Sequence, residues 1–425
     1  MTRVGTFTHD TFHSFDTRNF RLFFFGQLVS QVGNWLTLIA QTLLVLKLTD
    51  SGFAVGVLVA CQFGPVLLIG PWAGLVADRS DKRRLLMIVQ AFAMLQSFAL
   101  AALAFLPHPP VGAIFAVAFA GGFATAFDNP ARRSYVVELV PESDVQNAVS
   151  MNSAMMTSSR IFGPALAGFL IETSGYGWCF LLDGISYVAV LWALWRIDPA
   201  QVRRSPVVAR AKGQVRAGLR YVRQVPVLWV SLVMMTIVGT LTFNFNVTFP
   251  LFVKRTLDGD VGDFTLFYSV MSVGSLLGAL ATARRKTAEL QDVVRATILY
   301  GIVMAVLALV PNLAFAYPAA ALVGLCGIAF MTISTAIVQL RADPVMRGRV
   351  LALQAMVFLG STPIGGPILG VICDAFGARA GLLLGAAAAL GAGAWGYAMT
   401  RRCEPAAPVD DTDLVTTGSE LSVAS

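Results

Sequence analysis

Charged side chains are scarce in this sequence, and their scarcity decides the class of protein. Only 13% of the 425 residues are Asp, Glu, Lys or Arg, whereas a soluble globular domain carries about 25%. Hydrophobic residues make up 56% of the chain, and its mean hydropathy is +0.71. An ordinary soluble domain is therefore excluded, and the composition predicts an all-α polytopic membrane protein.

Motifs for catalysis, metal binding and nucleotide hydrolysis are also missing. The five cysteines, Cys61, Cys179, Cys326, Cys373 and Cys403, have no metal-binding or redox spacing, so we interpret them as packing residues. No Gly-x-x-x-x-Gly-Lys-Ser/Thr motif occurs. We therefore expect no enzymatic activity and no cofactor, and active transport would have to draw on an ion gradient.

Long apolar runs take up most of the chain. At about 20 residues per crossing, a chain of 425 residues accommodates about twelve transmembrane helices. The runs predict that number. We number them as spans 1 to 12, at 20–47, 53–76, 85–106, 111–128, 147–171, 178–196, 226–250, 264–283, 293–310, 314–339, 350–373 and 380–400.

Basic residues collect in alternate connections between the spans. The connections around 107–110 and 311–312 contain no Lys or Arg. The connections rich in these residues are 79–84, 132–133, 196–223, 284–286 and 341–349. The positive-inside rule then predicts a multi-pass protein of the cell membrane with both termini in the cytoplasm. The first 17 residues contain no apolar run, so we expect no cleavable signal peptide.

The same topology accounts for the formal net charge of +7. Cations in loops beside the membrane face anionic lipid headgroups, so they give no support for nucleic-acid binding. We expect a monomer in the lipid bilayer that has a small molecule as its partner.

The longest basic connection divides the chain into two halves. We predict an N-terminal six-helix half at 1–196, a cytoplasmic linker at 197–225, a C-terminal six-helix half at 226–400 and a disordered tail at 401–425. Apolar residues recur in the linker at spacings of three and four, which is typical of a helix lying at the membrane interface. A solvated helical linker is the alternative, because this apolar face is narrow and consists of Val208, Ala211, Val215, Leu219 and Val222.

A burst of charge separates spans 2 and 3. Residues 74–86 read Gly-Leu-Val-Ala-Asp-Arg-Ser-Asp-Lys-Arg-Arg-Leu-Leu, and such a charge cluster cannot lie in hydrocarbon. The segment resembles the signature loop between helices 2 and 3 of the major facilitator superfamily, Gly-x-Leu-Ala-Asp-Arg-x-Gly-Arg-Lys/Arg. Asp81 replaces the second glycine of that pattern. The candidate gating motif consists of Gly74, Asp78, Arg79, Lys82, Arg83 and Arg84.

This resemblance implies a fold and a gate. Members of the superfamily have two pseudo-symmetric six-helix halves with the substrate path between them. The resemblance implies that Asp78 caps the N-terminus of span 11, near 348–350, and closes the cytoplasmic side in the outward-open state. A charge cluster that only fixes the orientation of the chain is the alternative. In the second half, Thr282 occupies the place of Asp78 within 278–286.

A second run resembles one branch of the superfamily. Asp128-Asn-Pro-Ala-Arg-Arg-Ser134 is followed by Glu138 and by Arg160-Ile-Phe-Gly-Pro-Ala-Leu-Ala-Gly168, as in the secretion-type transporters that include the enterobactin exporter. The resemblance implies efflux of a small organic molecule, such as a siderophore-like metabolite or a drug. From the residues themselves, we expect Asp128 and Asn129 to cap the end of span 4 and Pro130 to stop it.

Polar and aromatic residues inside the spans are candidates for a substrate cavity. Arg160 lies about 20 Å into span 5, where an arginine needs a partner or a water-filled cavity, with snorkelling as the alternative. On span 1, a polar stripe within about 80° of the helix surface suits either an organic solute or contacts between helices. The stripe consists of Gln27, Gln31, Asn34 and Gln41. Further candidates, for which core packing is the alternative, are Trp35, Phe123, Phe127, Asn244, Phe245 and Gln339.

Two acidic residues, Asp128 and Asp183, are candidates for proton coupling, because an exporter driven by protons needs a group whose protonation competes with substrate binding. We therefore predict a secondary active transporter that exports a small organic molecule across the inner membrane by proton antiport with alternating access. The alternatives are a lysophospholipid flippase or a nutrient importer, and a membrane sensor or scaffold that transports nothing.

Overall fold

The computed structural model describes residues 13–203, 214–283 and 287–403. Regular structure in these residues is helical, as expected where hydrocarbon leaves every backbone N–H and C=O to pair within its own segment. The helices are α1 (Arg18–Thr49), α2 (Gly52–Arg79), α3 (Lys82–Ala104), α4 (Val111–Glu138), α5 (Val145–Thr173), α6 (Tyr176–Arg196), α7 (Gln214–Gln224), α8 (Pro226–Leu241), α9 (Phe245–Thr256), α10 (Val261–Ala283), α11 (Leu290–Leu309), α12 (Leu313–Arg341), α13 (Pro344–Phe376) and α14 (Ala378–Cys403).

The described residues contain 12 helical stretches that are long and apolar enough to cross a membrane, which confirms the predicted spans. Spans 1 to 6 are α1 to α6, span 7 consists of α8 and α9, and spans 8 to 12 are α10 to α14. Because the spans alternate in direction, both described chain ends lie at one end of the bundle. We call this the terminal end, and the opposite one the distal end.

The prediction that Pro130 stops span 4 is wrong, because α4 continues through it to Glu138. Proline removes one backbone hydrogen bond from a helix. Here nearby side chains bond to backbone carbonyls around the proline: Asn129 Nδ2 donates to Thr125 O at 3.3 Å, and Ser134 Oγ donates to Pro130 O at 2.8 Å. Asp128 lies inside the helix and does not cap its end.

The turn between α2 and α3 is tighter than the charged segment suggested. Only Ser80 and Asp81 lie between the two helices. Asp81 is the N-cap of α3, since the Arg84 backbone N–H donates to Asp81 Oδ1 at 3.0 Å. The residue that departs from the superfamily pattern therefore starts a helix, as aspartate at this position commonly does.

Span 7 is not one continuous helix. It is interrupted between Leu241 and Phe245. Thr242 Oγ1 donates to the Gly385 carbonyl at 2.9 Å, and Asn244 Nδ2 donates to the Thr240 carbonyl at 2.6 Å, so side chains satisfy backbone groups near the break. Broken spans are tolerated in membranes where such partners exist.

The linker contains α7, which packs against the helix bundle. Val208 and Ala211 lie outside the described residues, as does the chain after 403. In α7, the Val222 side chain is buried, and the Tyr221 hydroxyl accepts a hydrogen bond from the Asp343 backbone N–H at 2.9 Å. The exposed face of α7 carries Arg216, Arg220 and Arg223.

Two long contacts join the first six spans to the last six. One runs between α2 and α13, and the other between α5 and α10; we call them the two seams. In the α5–α10 seam, a Cβ at Gly168 would overlap the Thr265 side chain, and Ser269 Oγ donates to the Ile161 carbonyl at 2.9 Å. Glycine allows this close approach, which lipid-embedded helices need because hydrophobic burial does not hold them together.

The α2–α13 seam is antiparallel and is closed toward the distal end. Backbone contacts there pair Gly52 with Gly370 and Gly56 with Gly366. Further along the seam, a Cβ at Gly360 would overlap the Leu67 side chain, whereas one at Gly348, near the terminal end of α13, would meet no atom within 4 Å.

The packing of α10 on α12 gives a stability prediction. A methyl group at Gly274 would overlap the Ala321 carbonyl, whereas one at Gly391 of α14 would meet no atom within 4 Å. We expect Gly274→Ala to destabilise the protein by about 1–3 kcal/mol through overpacking. Gly391→Ala should stabilise α14 by up to about 1 kcal/mol, because alanine favours helix. Thermal unfolding of both purified variants in detergent measures the difference; equal melting temperatures would contradict the described contact.

Candidate functional site

Residues from both sets of spans meet at the α5–α10 seam. The rings of Trp35 on α1 and Tyr268 on α10 have centroids 5.6 Å apart. The Tyr268 hydroxyl donates to Asn246 Oδ1 on α9 at 3.2 Å and lies close to the Arg160 side chain on α5. We call Trp35, Arg160, Asn246 and Tyr268 the central cluster.

Arg160 is the cation of this cluster, and it is half-buried. It lies about 22 Å into α5 from Val145 at 1.5 Å per residue. Its Nε atom is buried without a hydrogen-bond partner, and no carboxylate of a described residue forms an ion pair with it. One turn further along, Gly163 makes room for Trp35, because a Cβ there would overlap the indole side chain. A half-buried guanidinium that lies beside aromatic rings and has no carboxylate partner among the described residues is suited to hold an anionic group of a ligand.

The four residues of the predicted polar stripe of span 1 differ in their burial and in their hydrogen-bond partners. Gln27 and Gln31 are buried, and neither amide atom of Gln27 has a hydrogen-bond partner. Gln41 is buried and accepts a hydrogen bond from Gln62 of α2 at 2.8 Å, so it links two helices. Asn34 is exposed and accepts from the Tyr187 hydroxyl of α6 at 2.9 Å.

The other cavity candidates do not converge on the central cluster in the contacts described. Phe123 packs edge-on against Phe119 with centroids 5.3 Å apart, and Phe127 packs edge-on against Trp72 at 5.5 Å. The remaining three are Asn244, buried at the break in span 7, Phe245, buried and stacked on Phe249, and Gln339, exposed near the end of α12.

Asp183 is a buried carboxyl group surrounded by hydroxyls. It is 1% exposed, and Oδ2 accepts hydrogen bonds from Thr37 on α1 and Ser97 on α3, both at 2.7 Å. Ser186 Oγ lies 3.5 Å from Oδ1. A hydroxyl can donate to an ionised carboxylate or accept from a protonated one. These hydroxyls can therefore form hydrogen bonds with either protonation state of Asp183.

Asp128 has a different environment. Its carboxylate forms an ion pair with Arg132 one turn along α4 at 3.2 Å and accepts a hydrogen bond from Gln90 of α3 at 2.7 Å. Arg132 is 5% exposed, so the pair is largely shielded from solvent. Asp128 thus has a cationic partner, which Asp183 lacks among the described residues.

Two cations of the candidate gating motif, Lys82 and Arg83, bind within the first six spans. Lys82 and Glu138 form a buried ion pair at 2.6 Å that ties α3 to the end of α4. Arg83 donates to the carbonyls of Leu194 and Trp195 at 2.6 and 2.8 Å. These carbonyls belong to the C-terminal turn of α6, where a cation is favoured. The other members of the motif are Gly74 and Asp78, which are half-buried, and Arg79 and Arg84, which are exposed.

Sequence reasoning missed Asn246 and Tyr268 in the middle of the bundle, and Arg255 and Asp374 at its distal end. Asn246 stands beside two predicted residues in an Asn-Phe-Asn sequence inside an apolar run, which is a usable signal. Asp374 directly follows predicted span 11, and Arg255 lies five residues after the predicted end of span 7 and within α9 of the structure. Tyr268 gives no such signal, because tyrosine is common in membrane helices.

Comparison with known proteins gives the family. The family described as transmembrane secretion effector matches residues 9–414. The staphyloferrin A transporter of Staphylococcus aureus is 24% identical over 84% of this chain and 90% of its own length. The multidrug efflux pump Tap of Mycolicibacterium fortuitum is 26% identical over 85% and 91%. The enterobactin exporter EntS of Salmonella typhi is 21% identical over 62% and 63%.

Solved structures share the fold. A bacterial homologue of the human lysosomal transporter Spinster superposes with a TM-score of 0.74 at 14% identity, over 90% of this chain and 96% of that one. A D-xylose–proton symporter superposes with a TM-score of 0.70 at 14% identity, over 88% and 97%. The chain therefore belongs to the transmembrane secretion effectors of the major facilitator superfamily, and it is a multi-pass membrane transporter, not an enzyme.

Proposed function

We propose that this transporter exports a small organic molecule from the cytoplasm by proton antiport with alternating access. The observation that carries the proposal is the central cluster, in which aromatic rings meet a cation that has no ion-pair partner among the described residues, at a seam between the two sets of spans. The similarity to a siderophore transporter and a multidrug efflux pump supports a siderophore-like metabolite or a drug as substrate. The direction of transport rests on these relatives, because importers share the fold.

The moving units would be the two six-helix halves, at 1–196 and 226–400, with 197–225 as their cytoplasmic linker. The packing supports this division, since each set of spans packs mainly on itself and meets the other along the two seams. The basic residues of the terminal end support a cytoplasmic location for both termini. The distal end, where the α2–α13 seam is closed, would then face away from the cytoplasm. A monomer is sufficient for this mechanism.

Proton coupling would use Asp183 and Asp128. Asp183 is the better placed of the two, because hydroxyls from α1 and α3 surround it without a cation among the described residues. Protonation there would change the contacts between three helices of the first half. Asp128 would act through its ion pair with Arg132, which protonation would break.

The first prediction tests export and its coupling. Everted vesicles with an acidic interior should accumulate a fluorescent drug or a siderophore above its external concentration. Asp183→Asn combined with Asp128→Asn should lower this uphill accumulation about tenfold or more, because the coupling is lost. Downhill exchange should continue. Glu142→Gln, an exposed acid at the terminal end, is the matched control and should behave as wild type.

Two results would count against this proposal. Uphill accumulation in the double variant would exclude both acids as essential proton carriers. The proposed export itself would be refuted if wild-type vesicles accumulated none of the anionic and cationic probes, with or without the pH gradient.

The second prediction concerns Arg160. If its guanidinium binds an anionic group of the substrate, Arg160→Ala should weaken binding of an anionic substrate about 10–100-fold, the worth of one charged hydrogen bond. Arg160→Lys should rescue only partly, because an ammonium lacks the planar fork of guanidinium. Binding titrations in detergent measure both. Arg216→Ala, which removes an exposed arginine of α7, is the control; unchanged binding in both Arg160 variants would show that the residue only snorkels.

The third prediction concerns the gate at the terminal end. If Asp78 caps α13 near 348–350 in the outward-open state, Asp78→Asn should lower turnover about tenfold while substrate affinity changes little, because only one state of the cycle loses a contact. Thr282→Asn is the matched control, since among the described residues Thr282 Oγ1 donates to carbonyls of its own helix. Equal turnover in Asp78→Asn and wild type, measured in reconstituted vesicles, would refute the gating role.

A further inference from the structure

At the distal end, α2 begins beneath a carboxylate that belongs to α13. The backbone N–H groups of Gly52 and Phe53 donate to the two oxygens of Asp374 at 2.7 and 2.9 Å. Ser51 Oγ donates to the same carboxylate at 2.9 Å. The first N–H groups of a helix have no partner within the helix, and the helix dipole favours an anion there. Asp374 therefore caps α2 from across the seam.

Arg255 of α9 holds this carboxylate in place. Its Nη1 atom donates to Asp374 Oδ1 at 2.8 Å, and its Nη2 atom donates to the backbone carbonyl of Asp50 between α1 and α2. Lys254 also bonds to Asp50, at 3.0 Å, and lowers the pKa of that carboxyl group. Asp50 is 69% exposed, so its pair with Lys254 contributes little. The less exposed contact between Arg255 and Asp374 is the more important one.

These contacts cross between the two sets of spans, because Asp374 and Arg255 belong to the last six and Ser51, Gly52 and Phe53 to the first. They sit directly beside the backbone approach of Gly52 to Gly370. Opening the distal end would separate those two helices and break the contacts of Asp374 with α2.

The start of α2 can survive the loss of this partner. Ser51 Oγ also accepts a hydrogen bond from the Ala54 backbone N–H at 3.3 Å, so α2 has an N-cap of its own. Withdrawal of Asp374 would expose two backbone N–H groups to water and leave the helix intact. The contact is therefore suited to form and break repeatedly.

The two helices of the seam have matching acids. Asp374 lies near the C-terminus of α13, and Asp78 lies near the C-terminus of α2. Since the helices are antiparallel, each acid is near the end of the seam at which the other helix begins. The structure shows the distal acid bonded across the seam.

We propose that Asp374 is a positioning residue of the transport cycle, which keeps the distal end closed by capping α2 from the opposite half and is released when that end opens. The inference rests on the alternating access proposed above. Asp374 and Asp78 would then act in opposite states.

The test measures access to the seam directly and needs no transport substrate. Val59 of α2 is 1% exposed and lies in the seam, because a Cβ at Gly366 would be 3.5 Å from its Cβ atom. A chain without its native cysteines that carries Val59→Cys is labelled with a maleimide in lipid nanodiscs. Asp374→Asn should raise the labelling rate about 10–100-fold, the factor that corresponds to one charged hydrogen bond. A rate equal to that of the parent would overturn the proposal.

Two controls separate this effect from general loosening. Asp258→Asn removes an exposed acid at the same end and should leave the labelling rate within about twofold of the parent. Asp78→Asn should not raise it, because that acid would stabilise the state with the distal end open. A comparable increase in either control would overturn the specific role of Asp374.

A charge exchange distinguishes the cap from a simple ion pair. In Asp374→Arg combined with Arg255→Asp, the two charges can still attract each other, but arginine cannot accept hydrogen bonds from Gly52 and Phe53. Labelling should stay as fast as in Asp374→Arg alone; restored protection would refute the capping role. If Asp374→Asn folds poorly, Arg255→Gln provides a second variant, for which an unchanged labelling rate would also count against the proposal.

The labelling result is independent of the exporter assay. Fast labelling of Asp374→Asn together with an absence of transport in wild-type vesicles would support the distal contact and refute the proposed export. Slow labelling together with normal uphill efflux would refute the distal contact alone.

Discussion

Hydrocarbon cannot form hydrogen bonds, and most polar groups in this molecule are arranged to meet that constraint. Hydroxyls inside the spans bond back to their own helix, as Thr42 does to the Leu38 carbonyl at 2.8 Å. The buried cation Lys82 lies at a helix end and is paired with Glu138. Against this background, a side chain that lacks a partner is informative. The guanidinium of Arg160 has no ion-pair partner among the described residues and its Nε atom has no hydrogen-bond partner, which is why its position at the seam points to a ligand.

The same constraint explains the form of the seams. Helices in lipid gain no hydrophobic stabilisation from meeting one another, so their association depends on close packing. Glycine provides it where Gly56 meets Gly366 and where Gly168 meets Thr265. A contact of this kind has a defined closed geometry and few long side chains to disentangle. It is therefore compatible with rigid-body opening, which alternating access requires.

One interaction, a carboxylate at the first turn of a helix, occurs in two roles. Asp81 caps α3 from the adjacent residue, so its contact persists as long as the helix does. Asp374 caps α2 from a different part of the chain, so its contact depends on how the two sets of spans are arranged. Both contacts are hydrogen bonds from the first backbone N–H groups of a helix to a carboxylate. They differ only in whether the acid comes from the same set of spans or from the other one. The Asp81 contact defines a turn, and the Asp374 contact can stabilise one arrangement of the two sets of spans.

The sequence by itself determined the number and approximate limits of the spans and the family, because these depend on the length of apolar runs and on local motifs. It did not determine that α4 continues through Pro130, because a proline inside a helix removes only one backbone hydrogen bond, and the local sequence does not show whether the helix tolerates that loss. Tertiary structure alone decided how each helix is rotated and which helices are neighbours. Asn246 and Tyr268 come into contact only for that reason, as do Asp374 and Gly52. Such contacts join residues that are distant in sequence, and no local pattern encodes them.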